Sequence, residues 1–256
     1  VRAKGLPLIL SAAALWSTIG VVIQGVGHPF AEAFLQALFV SVGLLISRKS
    51  PLRKEFAVLG AIAAPFYETF ALASVKAGAA LATVLLFTAP GWIYVTTVKK
   101  LDRKAISVVL IVVGVYLISD APAFTPMGGA MGLASGALYA AYVLYLSKLQ
   151  SKGYSEIHIL SSGGFWAILP TVLLLPLGSL SISLIPAGAY LGVVATLLPY
   201  TLFLRGVKAS SPLFATLASA TEPIFTVILS SVLLGTRLAI VQLIGAVLIV
   251  SAILVP

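Results

Sequence analysis

The chain has 256 residues, 60% of them hydrophobic and only 9% charged, with 16 Lys and Arg against 7 Asp and Glu for a formal net charge of +9. Soluble domains carry about 25% charged residues, so this composition excludes one, and a mean hydropathy of +1.13 places most of the polypeptide in lipid. The basic residues are too few and too scattered for a nucleic-acid face, and with no Cys there are no disulfides, thiolate metal sites or cysteine nucleophiles.

A helix needs about 20 residues to cross about 30 Å of hydrocarbon, so ten helices with loops of about five residues use about 245 residues. Apolar stretches fall at 6–24, 30–47, 56–74, 79–98, 105–119, 128–147, 157–177, 183–204, 210–234 and 238–255. The expected fold is an all-α polytopic membrane protein with ten transmembrane helices and no loop long enough for a soluble domain. Arg2 and Lys4 precede a full-length apolar stretch without a small-residue cleavage site, which reads as a span and not a signal. Lys and Arg collect on the cytoplasmic side of membranes. With the N-terminus inside, Arg2, Lys4, Arg48, Lys49, Arg53, Lys54, Lys99, Lys100, Arg103, Lys104, Lys148, Lys152, Arg205 and Lys208 are cytoplasmic, leaving only Lys76 and Arg237 outside. That split predicts a multi-pass protein of the cell (plasma or inner) membrane with both termini in the cytoplasm.

The sequence repeats weakly at half its length. Val75-Lys76-Ala77 recurs as Val207-Lys208-Ala209, Thr88-Ala89-Pro90 as Thr221-Glu222-Pro223, and Gly114 as Gly245, at offsets of 132, 133 and 131. Leu15-Trp16-Ser17 pairs with Leu138-Tyr139-Ala140. Two five-helix units follow, residues 1–122 and 123–256. Five is odd, so the second enters from the opposite side, giving the inverted repeats used by secondary transporters.

These residues carry a resemblance. Ala218 to Leu254, with Thr221-Glu222-Pro223-Ile224, Leu234-Gly235 and Gly245-Ala246, resembles the second repeat of the drug/metabolite transporter superfamily, and within it the EamA-like family. Ala14-Leu15-Trp16-Ser17 is similar to that family's opening signature with Ser17 in place of Gly, and Val84 to Val115, with Pro90 and Gly114, resembles its first repeat. The Gly-Glu pair usual after each Pro-bearing helix is replaced here by Leu101-Asp102 and Gly235-Thr236. The resemblance implies alternating-access transport of amino acids, their derivatives or similar metabolites, often exported, with no cofactor.

Of the seven acids, Glu55, Asp102 and Glu156 sit in cytoplasmic loops beside basic residues, Asp120 precedes Pro122 in an outer loop, and Glu32 opens the second span. Glu68 and Glu222 lie well inside apolar helices, both about 18–20 Å from the cytoplasmic ends. An acid in hydrocarbon costs several kcal/mol unless it faces a cavity or finds partners, which makes both candidate substrate or proton sites. Trp16, Tyr67, Trp92, Tyr139 and Trp166 fall near mid-span, away from the interfaces aromatics favour, and are candidate lining for a small amphipathic solute. Pro65, Pro90, Pro199 and Pro223 are candidate helix-breaking or gating positions, since proline at i leaves the carbonyl at i−4 without its helical N–H. Gly128, Gly132 and Gly136 form a small-residue stripe for close helix packing.

Rival classes fare less well. His28 and His158 lie on opposite sides, Asp102 and Asp120 cannot form a dyad, and no metal-ligand spacing occurs, which argues against an intramembrane enzyme. No filter-like loop or ring of charge suggests a channel. A flippase for lipid-linked or amphipathic substrates is the alternative within the same fold. The expected partners are the bilayer, a small-molecule substrate and a proton as coupling ion, and internal symmetry lets a monomer form a whole pathway.

Overall fold

The computed structural model describes residues 2–98, 102–119, 125–234 and 239–254, with the side chains of 2–4, 20, 21, 24 and 229–234 set aside. Lys99, Lys100, Leu101, Asp120, Pro122, Gly235, Thr236, Arg237, the side chains of Arg2 and Lys4, and the 122/123 boundary lie outside the described residues.

Every regular element among the described residues is helical. In chain order these are α1 (Arg2–Trp16), α2 (Ile19–Val26), α3 (Pro29–Ser41), α4 (Gly43–Ser47), α5 (Lys54–Ala77), α6 (Ala79–Leu86), α7 (Ala89–Thr97) and α8 (Lys104–Ser119). They continue as α9 (Pro126–Ser151), α10 (Glu156–Leu174), α11 (Ile185–Ala189), a π-helical stretch (Tyr190–Leu197), α12 (Leu198–Lys208), α13 (Pro212–Ser219), α14 (Glu222–Leu234) and α15 (Ile240–Leu254). Short 3₁₀ turns at Leu175–Leu177 and Ile182–Leu184 link α10 to α11. Among the described residues six continuous segments are long and apolar enough to cross a membrane: Pro29–Ser47, Lys54–Ala77, Ala79–Thr97, Pro126–Ser151, Glu156–Leu177 and Ile182–Lys208. Gly5–Trp16, Lys104–Ser119, Pro212–Ile228 and Ile240–Leu254 are shorter apolar helices at the remaining four expected positions.

Local chemistry explains the interruptions. Between α1 and α2 the Ser17 and Thr18 hydroxyls donate to the carbonyls of Ala14 (2.7 Å) and Leu15 (2.9 Å). Between α6 and α7, just before Pro90, the Thr88 hydroxyl donates to the Leu85 carbonyl at 2.7 Å. Between α13 and α14, just before Pro223, the Thr221 hydroxyl donates to the Ala218 carbonyl at 2.9 Å. In each case a hydroxyl occupies a carbonyl at a point where the backbone ladder is interrupted. Pro65, grouped with the helix-breaking prolines from sequence, instead sits inside unbroken α5. The Thr69 hydroxyl donates to the Pro65 carbonyl there at 2.7 Å, and α5 packs closely on α9 and α10. Pro199 is the second residue of α12, which follows directly on the π-helical stretch.

The bundle is built from close backbone approaches. A methyl group on Gly60 of α5 would lie 2.4 Å from Trp166 Cβ of α10, and one on Gly192 would lie 2.4 Å from Phe39 Cβ of α3. One on Gly128 of α9 would meet Ala77 Cβ at 2.3 Å, and one on Gly5 of α1 would meet Ala209 Cβ at 3.3 Å and the Gly206 carbonyl at 2.7 Å. Gly114 of α8 and Gly245 of α15 press on each other, a methyl on either meeting the other's carbonyl oxygen at 2.9 and 2.6 Å. Helices associate in lipid through such contacts, because apolar side chains gain little by leaving it.

Candidate functional site

α1, α2, α3, α5, α6, α9, α12, α14 and the π-helical stretch converge on an aromatic cavity of about 40 Å³. Trp16, Tyr67, Tyr139 and Glu222, four of the residues singled out from sequence, line it together. The recurring pair Leu15-Trp16 and Leu138-Tyr139 thus contributes one ring from each half of the chain. Phe66, Phe70, Phe87, Tyr200, Gln36 and Thr196 complete the polar and aromatic lining. The rings lock one another: Trp16 meets Tyr200 edge-on with centroids 4.8 Å apart, and Phe66 stacks on Tyr139 at 5.5 Å. Behind them Tyr142 meets Tyr200 at 5.4 Å and its hydroxyl lies 3.5 Å from that of Tyr67.

Glu222 opens α14 immediately after the Thr221 break, and its residue is buried at 7% exposure. Further along α14 the Thr226 hydroxyl donates to the Ser17 carbonyl at 3.2 Å, joining α14 to the break between α1 and α2. Across the cavity the Gln36 amide donates to the Thr196 hydroxyl at 2.8 Å, which donates to the Leu191 carbonyl five residues back. Trp16 lines the cavity, and its indole N–H is buried with no hydrogen-bond partner.

Three expected lining residues lie elsewhere. Glu68 follows Tyr67 on α5 but is not part of the cavity wall; it is buried, and its Oε1 has no hydrogen-bond partner. Trp92 is 45% exposed on the outside of α7. Trp166 donates its indole N–H to the Pro51 carbonyl at 2.8 Å, tying α10 to the segment before α5. Among the described residues no three His, Asp or Glu side chains gather as a metal site. A wider crevice of about 450 Å³ lies between the end of α7, the starts of α8 and α13, and the end of α15. Its one charged side chain, Lys104, pairs with Asp102 at 3.6 Å.

The sequence profile of the EamA-like transporter family matches residues 126–255. The chain belongs to the EamA-like transporter family. Full-length relatives of this EamA-like chain agree. An uncharacterized transporter of Archaeoglobus fulgidus is 28% identical, with 96% of this chain and 94% of that protein aligned. The uncharacterized inner membrane transporter YicL of Salmonella typhimurium is 27% identical, over 98% of this chain and 94% of its own length. One solved crystal structure superposes with a TM-score of 0.77 at 16% identity, covering 100% of this chain and 96% of its own, which shows a shared fold. The EamA-like chain is therefore a multi-pass membrane transporter acting on a small-molecule substrate within the bilayer.

Proposed function

We propose that this EamA-like protein is a secondary transporter of small organic metabolites, amino acids or their derivatives, working by alternating access between two inverted five-helix repeats. The observation that carries the reading is the composition of the cavity wall: Trp16, Gln36 and Tyr67 come from the first half, Tyr139, Thr196 and Glu222 from the second. A site shared by two halves changes access when one half tilts against the other.

The close approaches support the repeat. Gly60 against Trp166 and Gly192 against Phe39 are the same contact after an exchange of halves, since Gly60 and Gly192 are 132 residues apart and Phe39 and Trp166 are 127 apart. Gly128 against Ala77 and Gly5 against Ala209 exchange in the same way, and the Gly114–Gly245 contact maps onto itself. The polar groups of Gln36, Thr196 and Glu222 on the cavity wall favour a solute with polar atoms over a lipid tail. The direct test is counterflow of a metabolite panel in proteoliposomes, with and without a proton gradient. Counterflow of at least one solute is expected, and accumulation should follow an imposed pH gradient; no counterflow across the panel would overturn the reading.

A further inference from the structure

We propose that the central cavity selects a small organic monocation, an amine or ammonium compound without a free carboxylate. The proposal deepens the transporter reading, on which it rests for its use in transport, and it narrows amino acids and derivatives to those lacking the acid group.

Charge is the first reason. The cavity wall holds one acid, Glu222, and no Lys, Arg or His. The histidines are occupied elsewhere, His28 against the Ser179 hydroxyl and His158 against the Ser50 carbonyl, and Lys76 is exposed at the far end of α5. A carboxylate entering this space would stand near a second acid with no cation to pair it, in surroundings that screen poorly. An ammonium group gains from the same Glu222.

The rings are the second reason. Trp16, Phe66, Tyr67, Tyr139 and Tyr200 line the space, and the negative faces of aromatic rings attract cations, most strongly where water is excluded. The remaining open group fits a neutral acceptor on the same ligand. The Trp16 indole N–H is buried without a partner and would take a hydroxyl, ether, ester or amide oxygen. The Gln36 amide already donates to Thr196, so it offers an incoming carboxylate no free pair of donors of the kind an arginine would.

At about 40 Å³ the cavity has room for a few waters, so any substrate enters only as the helices part. The test therefore compares ligands of equal bulk that differ in charge. Phenethylamine, phenylalanine and 3-phenylpropionate are titrated calorimetrically into the protein in lipid nanodiscs, and into Glu222→Gln and Glu222→Asp. Phenethylamine should bind at least about tenfold more tightly than phenylalanine, with 3-phenylpropionate weakest. Glu222→Gln should erase the preference and Glu222→Asp keep it, thermal unfolding confirming that each variant is folded. Equal or tighter binding of phenylalanine or 3-phenylpropionate, a preference that survives Glu222→Gln, or no saturable binding by any of the three would overturn the proposal. The series on the unaltered protein decides the matter even if Glu222→Gln does not fold. Counterflow of the same compounds separates the two ideas. Amine-selective binding without counterflow leaves the charge selection standing and sinks the transporter reading. Counterflow that favours phenylalanine does the reverse.

Discussion

At the scale of residues, Glu68 and Glu222 are both buried but differ in what they line. Glu222 lines the cavity and Glu68 does not, although their positions along their helices predict similar depth. Their separation leads to a prediction: Glu68→Gln should keep substrate counterflow but lose accumulation driven by a pH gradient, because it removes an intramembrane acid outside the substrate's space. Uptake against imposed gradients, compared with counterflow, measures the split; wild-type accumulation in Glu68→Gln would make Glu68 structural. Sequence made Trp16, Tyr67, Tyr139 and Glu222 visible because polar and aromatic groups at mid-span are costly or out of place. It could not tell them from Glu68, Trp92 and Trp166. Position along a helix gives depth, whereas the direction faced turns by about 100° per residue and is fixed only by packing. Tyr67 and Glu68, adjacent in sequence, show the difference. Tyr142, three residues beyond Tyr139 on the same face of α9, was within reach of the helical period; Gln36 and Thr196 carried no such signal.

At the scale of elements, the positions of the apolar helices were legible because length and hydropathy set them, and so were the interruptions before Pro90 and Pro223. The continuity of α5 through Pro65 was not, since whether a helix accommodates a proline or breaks there depends on its surroundings, which are a tertiary matter. The glycine approaches give the element-scale prediction. Gly60→Ala and Gly192→Ala should each destabilise by about 1–3 kcal/mol, because the added methyl meets a Cβ atom that cannot swing aside. Gly25→Ala, with open space around it on α2, should be neutral or slightly stabilising. Thermal unfolding of the three variants in one detergent tests the contrast; equal loss at Gly25 would deny that the close contacts hold the bundle together.

At the scale of the whole molecule, the charge split predicts an orientation that labelling can check. Single cysteines at exposed Ser50 and Ser151 should react with a membrane-impermeant thiol reagent only from the cytoplasmic face, and one at exposed His28 only from the outside. Labelling of His28→Cys from the cytoplasm would invert the orientation. The π-helical stretch Tyr190–Leu197 carries a further consequence. Shifted back by 132 residues it falls on 58–65, which is ordinary α-helix within α5. Equal numbers of residues are therefore wound differently, with hydrogen bonds reaching five residues back in one half and four in the other. If the halves trade roles during transport, the wide winding must change owner, leaving 190–197 and entering 58–65. Amide hydrogen exchange should then report the hand-over: protection lost over 58–65 and gained over 190–197 when the protein is trapped open to the opposite side, with unchanged exchange in both segments meaning that the winding belongs to one half for good.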